Sequence, residues 1–279
     1  MTDIPLERIA ITGAAGGIGA ALAQHYARPG VVLELTGRNA GALEATAGRC
    51  RDAGAQVRTT VFDVRDEAAL TAWVDHVTAM PDLTTLMLCA GVSSSVETSE
   101  DGQRWPETQW DLAREMDVNA KSTMLAANEA VRQLLQQSSD KHPVQIGMIA
   151  SIAALTGLPS SPGYSASKAA LVIYAEALRR LVRGTRIGVS VVIPGYVTSP
   201  MSRRYVGAKP FEISAEAAAR RIAAGLAANR AKIVFPKLLA VGTLLLRLVP
   251  ECLQPLFLKS FDFSVVRDPE SSAAKGASC

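Results

Sequence analysis

A tyrosine and a lysine four residues apart, Tyr164 and Lys168, are suited by type and spacing to proton transfer. Residues with this spacing share one face of a helix. Pro162, followed by an Ala- and Leu-rich stretch to about Arg183, predicts such a helix. The phenol of a free tyrosine has a pKa of about 10, and a nearby ammonium group lowers it. We therefore expect Tyr164 to exchange a proton with the oxygen of a substrate.

A serine thirteen residues before the tyrosine, Ser151, is the third residue of this candidate site. It directly follows the apolar run Ile146–Ala150, which predicts a buried strand. Ligands of open α/β sheets bind at the carboxyl ends of the strands, so the Ser151 hydroxyl is expected to hydrogen-bond the reacting oxygen. The pattern Tyr-x-x-x-Lys alone is more often an ordinary surface pair. The serine and a glycine loop near the N-terminus favour an enzyme.

The glycine loop lies at 12–19, between a predicted strand, Arg8–Thr12, and a predicted helix, Gly17–Arg28. Glycine permits a tight turn and a close approach of the backbone to a pyrophosphate. The N-terminus of the following helix offers free N–H groups to the phosphates. The spacing is Gly-x-x-x-Gly-x-Gly, which is weak evidence alone. Its place at the first strand–helix junction strengthens the prediction of a dinucleotide site.

Short apolar segments alternate with helical patterns along the first 236 residues. This alternation predicts an α/β fold with a doubly wound, Rossmann-type parallel sheet in a single domain. We expect that domain over 1–236, an apolar helical extension over 237–263 and a loose polar tail over 264–279. The predicted strands are Arg8–Thr12, Val31–Thr36, Gln56–Phe62, Thr85–Cys89, Val144–Ala150, Gly188–Ile193 and Lys232–Phe235. The predicted helices are Gly17–Arg28, Ala40–Ala53, Glu67–Met80, Glu107–Gln137, Ser161–Arg183 and Ser214–Asn229.

The amino-acid composition argues against several classes of function. A chain of 279 residues with 48% hydrophobic residues can bury one large core. A net charge of +3 without a basic block argues against a nucleic-acid partner. Four scattered cysteines without Cys-x-x-Cys predict reduced thiols and a cytoplasmic location, and three distant histidines predict no metal site. The acidic N-terminus leaves no room for a signal peptide before the first strand.

Taken together, these motifs make the chain resemble the short-chain dehydrogenase/reductase family over about residues 6–236. The segment Thr12–Gly19 is similar to the family's cofactor loop, Thr-Gly-x-x-x-Gly-Ile-Gly, and Tyr164–Lys168 is similar to its Tyr-x-x-x-Lys motif. Ser151 stands at the spacing of the family's serine. Asn119, in Asp-Val-Asn, resembles the family's catalytic asparagine.

Further stretches extend the resemblance. The segment 194–199 resembles Pro-Gly-x-Val-x-Thr, with Ser199 in the threonine position, and Asp63-Val64 resembles an acidic pair that contacts adenine. The chain departs from the family at Cys89-Ala90-Gly91, where the pattern is Asn-Ala-Gly. That asparagine mainly braces the sheet, so we expect its loss to affect local stability more than activity. The polar stretch Val92–Pro106 is longer than a minimal loop and is interpreted as a substrate-side insertion.

The resemblance implies a role for each candidate catalytic residue. Tyr164 would be the catalytic acid/base, and Ser151 would polarise the substrate oxygen. Lys168 would lower the tyrosine pKa and hold the nicotinamide ribose. Asn119 would fix a water that relays protons to Lys168. The segment 194–199 would cover the nicotinamide end of the cofactor.

The end of the second predicted strand bears on the choice of cofactor. An acidic residue there would bind the ribose 2′-OH and repel a 2′-phosphate, but the sequence has Gly37-Arg38. Arg38 can pair with a phosphate, which favours NADP(H). NAD stays open, because Arg38 could instead stack on adenine or cap the next helix. The expected cofactor contacts are Thr12, Gly13, Gly17, Ile18, Gly19, Arg38, Asp63, Val64, Ala90, Gly91, Tyr164, Lys168, Pro194, Gly195, Val197 and Ser199.

The apolar segment 237–263 is too short between charges and prolines to span a bilayer. Three interpretations stay open: a helix packed on its own domain, a subunit interface, or a membrane-surface segment flanked by Lys237, Arg247 and Lys259. Some lipid- and steroid-handling members of the family carry comparable apolar C-termini. This resemblance makes an apolar substrate attractive.

We therefore predict an NADP(H)-preferring oxidoreductase that moves a hydride between the nicotinamide and a carbonyl or secondary alcohol. The family resemblance implies a small-molecule substrate and a homodimer or homotetramer, cytoplasmic or peripheral to a membrane. Two alternatives stay open. One is a sugar-nucleotide epimerase or dehydratase using the same tyrosine, and the other is a nucleotide-binding regulatory protein without turnover.

Overall fold

A parallel sheet of seven strands, covered by helices on both faces, forms the body of the protein in the computed structural model. The structure describes residues 7–98, 103–137, 142–246, 248–250, 253 and 264–265. Its strands are β1 (Glu7–Thr12), β2 (Val31–Gly37), β3 (Gln56–Val61), β4 (Leu83–Leu88), β5 (Glu97–Thr98), β6 (Arg104–Trp105), β7 (Val144–Ile149), β8 (Ile187–Pro194), β9 (Tyr205–Val206), β10 (Lys232–Phe235) and β11 (Ser264–Val265). Its α-helices are α1 (Gly17–Tyr26), α2 (Ala40–Asp52), α3 (Glu67–Ala79), α4 (Gln109–Glu115), α5 (Ser122–Leu135), α6 (Pro162–Leu181), α7 (Pro200–Arg203), α8 (Ala215–Ala227) and α9 (Lys237–Leu246).

The order of strands creates a crevice at one edge of the sheet. The order is β10-β8-β7-β4-β1-β2-β3, and every neighbouring pair is parallel. Strand β1 pairs with β2 on one side and β4 on the other, so the winding reverses there. Ligands of such sheets bind outside the carboxyl ends of the strands at this reversal. The predicted doubly wound sheet is confirmed.

Two apolar cores, one on each face, hold the helices to the sheet. Helices α3, α5 and α6 pack on one face, where Trp73 and Leu171 are buried. Helices α1, α2 and α8 pack on the other, with Leu22 and Ile222. Strands covered on both faces are apolar at nearly every position. This is why they stand out in the sequence as continuous apolar runs.

One predicted helix is interrupted. The sequence predicts a continuous helix over Glu107–Gln137, but the structure has α4, a π-helical segment at Met116–Lys121, and α5. Helix α4 starts later than predicted because the hydroxyl of Thr108 caps it by accepting a hydrogen bond from the helix backbone. A π-helical turn carries one extra residue and often marks a functional site.

Helix α9, directly after β10, lies against the carboxyl edge of the sheet. Helix α9 buries Leu239, Ala240, Thr243 and Leu246. No helix in the described part of the chain is long and apolar enough to cross a membrane. Backbone pairing places the first two residues of the predicted tail 264–279 in β11, antiparallel to β9. The rest of that tail and most of 247–263 lie outside the described residues.

Two glycines in helices provide a test of the packing at the glycine loop. A Cβ atom on Gly19 would lie 2.3 Å from the carbonyl oxygen of Gly13, whereas one on Gly48, within α2, would meet nothing within 4 Å. We expect Gly19→Ala to lower the free energy of unfolding by about 1–3 kcal/mol. Gly48→Ala should raise it by about 0.5–1 kcal/mol. Denaturant unfolding of both variants checks this, and equal effects would contradict the packing described.

Candidate active site

The glycine loop after β1 presses against the start of the segment that follows β4. Gly13 and Gly17 have φ values of 68° and 55°, in the left-handed region that favours glycine. A Cβ on Gly13 would lie 2.7 Å from the backbone nitrogen of Ala90. No side chain caps the start of α1 at Gly16, so the first N–H groups of that helix are available to an anion.

Thr12 braces the two segments that the loop brings together. Its hydroxyl oxygen accepts hydrogen bonds from the backbone N–H groups of Cys89, at 3.0 Å, and Ala90, at 3.3 Å. The thiol of Cys89 stays neutral near pH 7, because burial raises its pKa to about 12. We expected the absence of the family's asparagine at Cys89 to weaken the structure locally. At this junction, the hydroxyl of Thr12 holds the backbone of Cys89 and Ala90 in place.

The tyrosine, lysine and serine converge where β7 meets α6. Tyr164 lies in the first turn of α6, and the Nζ atom of Lys168 is 5.7 Å from the centre of its ring. The same Nζ donates a hydrogen bond of 2.8 Å to the carbonyl oxygen of Ile149, the last residue of β7. Ser151 follows two residues later, and its Oγ accepts a hydrogen bond of 3.2 Å from the N–H of Ala153.

Burial dominates the electrostatics of this group. It raises the pKa of Tyr164, the charges of Tyr205 and Glu115 act in the same direction, and a hydrogen bond with Ser151 opposes them. Burial also lowers the pKa of Lys168 to about 8. In this structure the loss of solvent around the phenol thus dominates the pKa of Tyr164, and its lowering by Lys168 stays a prediction.

Asn119 lies in the π-helical segment and is completely buried. Its Oδ1 accepts from the N–H of Val92 at 2.8 Å, and its Nδ2 donates to the carbonyl of Val92 at 3.0 Å and to Oγ of Ser167 at 3.0 Å. A Cβ on Gly91 would lie 3.3 Å from Oδ1 and 3.4 Å from Nζ of Lys168. The side chain thus fixes the segment after β4 beside the lysine.

A cavity of about 570 Å³ connects the loop with the tyrosine. It extends from the end of β2 to α9. Most of the predicted site residues line it: Gly13, Gly17, Ile18, Arg38, Ala90, Gly91, Ser151, Tyr164, Lys168, Pro194, Gly195, Val197 and Ser199.

Five predicted residues do not line the cavity: Thr12, Gly19, Asp63, Val64 and Asn119. Thr12 and Asn119 instead support segments that do, and Gly19 allows α1 to begin close to the loop. Both carboxylate oxygens of Asp63 accept hydrogen bonds from the side chain of Arg65, which holds the pKa of that carboxyl below its usual range. Val64 packs against the apolar core.

The far wall of the cavity contains residues that sequence reasoning missed. Tyr205 donates a hydrogen bond of 2.8 Å to Oγ of Ser93, and its ring meets that of Tyr196 edge-on at 6.4 Å. Tyr205 lies beyond a short helix, in the two-residue strand β9, which is too short for a periodic pattern to mark it in the sequence. The apolar spacing of α9 could have indicated Leu239 and Thr243. The missed lining residues include Leu158, Tyr196, Met201, Arg204, Tyr205, Leu239 and Thr243.

Arg38 stands exposed at the end of β2 and lines the cavity. The neighbouring Asn39 caps α2, because its Oδ1 accepts a hydrogen bond of 2.9 Å from the N–H of Ala42. Arg38 is therefore not the residue that caps this helix. The acid of this strand, Glu34, is buried and forms an ion pair with Arg8. The cavity therefore has a cation, rather than an acid, at the end of β2.

The residues present fit a nicotinamide dinucleotide. The close contact at Gly13, the uncapped start of α1 and the cation at Arg38 suit phosphates. The cavity then continues to the hydroxyls of Ser151 and Tyr164. Among the described residues, no group of His, Cys, Asp and Glu side chains is arranged to hold a metal ion.

Comparison with known proteins agrees with this geometry. Residues 7–209 match the short chain dehydrogenase family. An uncharacterized oxidoreductase of Staphylococcus saprophyticus is 32% identical over 208 residues, which cover 72% of this chain and 83% of that protein.

Two solved structures share the fold. A short-chain dehydrogenase/reductase of Burkholderia phymatum in complex with NAD has a TM-score of 0.71 and 25% identity, covering 86% of this chain and 93% of its own. A short-chain dehydrogenase of Sphingobium yanoikuyae in complex with NADPH has a TM-score of 0.71 and 23% identity. The match covers 83% of this chain and 88% of that one. The chain therefore belongs to the short-chain dehydrogenase/reductase family of NAD(P)-dependent oxidoreductases.

Proposed function

We propose that the protein interconverts a carbonyl and a secondary alcohol, with Tyr164 as the group that exchanges the proton. The observation that carries the proposal is the shared cavity, which joins the glycine loop to Ser151, Tyr164 and Lys168. When bound, the nicotinamide supplies or takes up the hydride. The residues of the chain then have to orient the reacting oxygen and move one proton.

The side chains divide this work. The Ser151 hydroxyl is fixed at the end of β7 and is proposed to donate a hydrogen bond to the substrate oxygen. Tyr164 gives its proton to that oxygen during reduction and takes it back during oxidation. Lys168 supplies positive charge beside the ring as the phenolate develops. Asn119 keeps the segment beside Lys168 in place, and its relay of protons through a water stays a prediction.

The apolar far wall supports an apolar substrate. Leu239 and Thr243 of α9 reach the cavity beside Gly195, where a Cβ would lie 3.5 Å from Cδ2 of Leu239. Leu158 and Met201 add further apolar surface. We infer a ketone or alcohol that carries a hydrocarbon group toward α9. The packing of α9 on its own domain also favours the prediction that the extension is bound to protein at the substrate entrance.

The outward face of α9 supports self-association. Leu238, Val241 and Leu245 are exposed there, and Leu248 lies just beyond the helix, with 70%, 52%, 57% and 81% of their surface accessible. Grouped apolar side chains of this kind favour association over exposure to water. We infer contact with a second copy of the chain as a homodimer or homotetramer. A lipid surface is the competing partner, and the substitutions in α9 described below distinguish the two.

Tyr164→Phe keeps the ring but removes the hydroxyl that exchanges the proton. Turnover should fall by about 10²–10⁴-fold, the range expected for loss of general acid–base catalysis, while cofactor binding changes little. Tyr174→Phe is the matched control, because Tyr174 lies on the same helix but outside the cavity. Its hydroxyl donates a hydrogen bond to the carbonyl of Met124. Steady-state rates on a panel of ketones and alcohols check the prediction. Near-normal turnover in Tyr164→Phe would refute the mechanism.

The preference for NADPH depends on Arg38. Arg38→Asp exchanges a phosphate partner for a repelling carboxylate, so NADPH should bind roughly 10- to 100-fold more weakly, with NADH relatively favoured. Arg51→Asp is the control, since Arg51 is exposed on α2 and pairs with Glu44 away from the cavity. Fluorescence titrations with both cofactors measure the effect. A wild-type protein that binds NADH more tightly would overturn the NADP assignment.

Two leucines on opposite faces of α9 separate its two proposed tasks. Leu239→Ser, inside the cavity, should raise KM for long-chain ketones by about tenfold and affect short ones little. Leu245→Ser, on the outward face, should keep KM and reduce self-association. Kinetics and size-exclusion chromatography of both variants check this. Equal KM values for all three proteins would contradict the apolar wall, and a wild type that pellets with lipid vesicles would favour the membrane surface.

A further inference from the structure

The cavity contains a cation to which the proposed function assigns no task. Three basic side chains line it: Arg38 at the end of β2, Lys168 beside Tyr164, and Arg204 directly after α7. Among the described residues that line the cavity, none is an Asp or a Glu. Arg38 suits a phosphate of the cofactor and Lys168 supports the tyrosine, so the charge of Arg204 calls for a separate explanation.

Arg204 lies at the tyrosine end of the cavity. Its Nη2 donates a hydrogen bond of 3.2 Å to the carbonyl of Ser93. The carbonyl of the next residue, Ser94, accepts a hydrogen bond of 2.6 Å from Oγ of Ser161, which directly precedes α6. Tyr164 follows in the first turn of that helix. Two neighbouring residues thus connect the guanidinium group to the start of the helix that carries the reacting phenol.

The same segment also passes close to the lysine of the site. A Cβ on Gly91 would lie 3.4 Å from Nζ of Lys168, and Ser93 follows only two residues later. Two residues of extended chain span at most about 7 Å. A ligand whose carbonyl contacts Tyr164 can therefore contact Arg204 with another part of its structure, because both side chains line one cavity.

The carbonyl of Ser93 that holds the guanidinium group is fixed on both sides. After it, the N–H of Ser94 donates a hydrogen bond of 2.6 Å to Oε1 of Glu115, the last residue of α4. Before it, both backbone groups of Val92 form hydrogen bonds with the buried side chain of Asn119. This anchoring restricts the guanidinium group before a ligand arrives. A preorganised cation loses less conformational entropy when it binds an anion.

Tyr205 does not neutralise the neighbouring charge. Its hydroxyl donates a hydrogen bond of 2.8 Å to Oγ of Ser93, so it is bound to the same residue as Arg204. Burial raises the pKa of Tyr205 to about 12, although the hydrogen bond with Ser93 and the charge of Arg204 oppose this rise. The phenol therefore stays protonated near pH 7 and adds a neutral polar surface beside the guanidinium group.

These features favour a carboxylate as the ligand of Arg204. A guanidinium group presents its donors in a planar fork that binds a carboxylate through two parallel hydrogen bonds. The wall of the cavity includes Leu158 and Met201, and charge-assisted hydrogen bonds are stronger where apolar groups replace water. An acid that also carries a hydrocarbon group would match both the cation and the apolar wall beside α9.

We propose that Arg204 binds a carboxylate of the substrate, so that the substrates are oxo acids and hydroxy acids rather than neutral ketones and alcohols. The inference rests on the proposed function and names a class of substrate for it. The carbonyl or alcohol contacts Ser151 and Tyr164, the hydrocarbon group extends toward α9, and the carboxylate contacts Arg204. The carboxylate takes no part in the transfer of hydride or proton, so Arg204 determines specificity.

The test compares straight-chain oxo acids of graded length with their methyl esters, which keep the carbon skeleton but carry no charge. Cofactor fluorescence follows their binding to the NADPH-saturated Tyr164→Phe protein, in which turnover is slowed. The best-bound acid should bind about 10- to 100-fold more tightly than its ester. Arg204→Gln, added to this protein, should remove the difference, and Arg204→Lys should keep part of it.

The comparison of acids with esters needs no substitution at Arg204, so it decides the matter even if Arg204→Gln does not fold. Equal affinities for acids and esters would overturn the proposal, and so would a failure of every acid to bind. A preference for acids that persists unchanged in a folded Arg204→Gln protein would also overturn it.

Two controls assign the effect to this side chain. Arg203→Gln removes an exposed charge next to it and outside the cavity, and should leave the preference for acids unchanged. A comparable loss of preference there would overturn the assignment to Arg204. Arg204→Gln should also leave the affinity for NADPH unchanged, and a loss of about tenfold would place Arg204 in the cofactor site instead and overturn the proposal.

Turnover by the enzyme with Tyr164 in place separates this proposal from the proposed function. Reduction of the oxo acids with a higher kcat/KM than that of their esters supports both. Equal kcat/KM values for acids and esters would leave the carbonyl chemistry standing and overturn the role of Arg204. Preferential binding of acids without any turnover would support the carboxylate site and refute the proposed function.

Discussion

The buried ammonium group of Lys168 is the constraint on which the site depends. Removing a charge from water costs several kcal/mol unless polar partners surround it. The carbonyl of Ile149 accepts a hydrogen bond of 2.8 Å from this group, which requires α6 to start close to the end of β7. Gly91 lies directly beside Nζ, since a Cβ there would be 3.4 Å away from it. Asn119 then fixes the same segment from behind, so three elements of the fold meet at one charge.

Much of the fold could be predicted because burial on both faces makes the central strands uniformly apolar. The glycine loop and the spacing of Tyr164 and Lys168 were also recognisable, since both depend on local geometry within a few residues. The π-helical segment at Met116–Lys121 was not predictable, because one inserted residue leaves the helical pattern of the sequence nearly unchanged. Asn119 lies in this widened turn, and its side chain forms two hydrogen bonds with the backbone of Val92.

The parts of the site that were missed depend on contacts between distant residues. Glutamate is a residue type usually found on the exposed face of a helix, and only the fold shows that Glu115 is buried against Ser94. Tyr205 lines the cavity from β9, a strand of two residues that is too short to show a periodic pattern in the sequence. Asp63 was predicted to contact adenine, but its side chain is held by Arg65 and does not line the cavity. Sequence patterns thus located the cavity residues near the glycine loop better than those near α9 and β9.

The pairing of β9 with β11 links the C-terminal part of the chain to the cavity wall. Tyr205 lines the cavity with its side chain, while its backbone pairs with Val265. A ladder of two residues is a marginal structure that can separate locally without unfolding the sheet. Opening it would release one wall of the cavity while the seven-stranded sheet and the glycine loop stay in place. One wall of the cavity thus depends on a pairing with residues that lie far beyond the seven-stranded sheet in the sequence, whereas the glycine loop directly connects elements of that sheet and its helices.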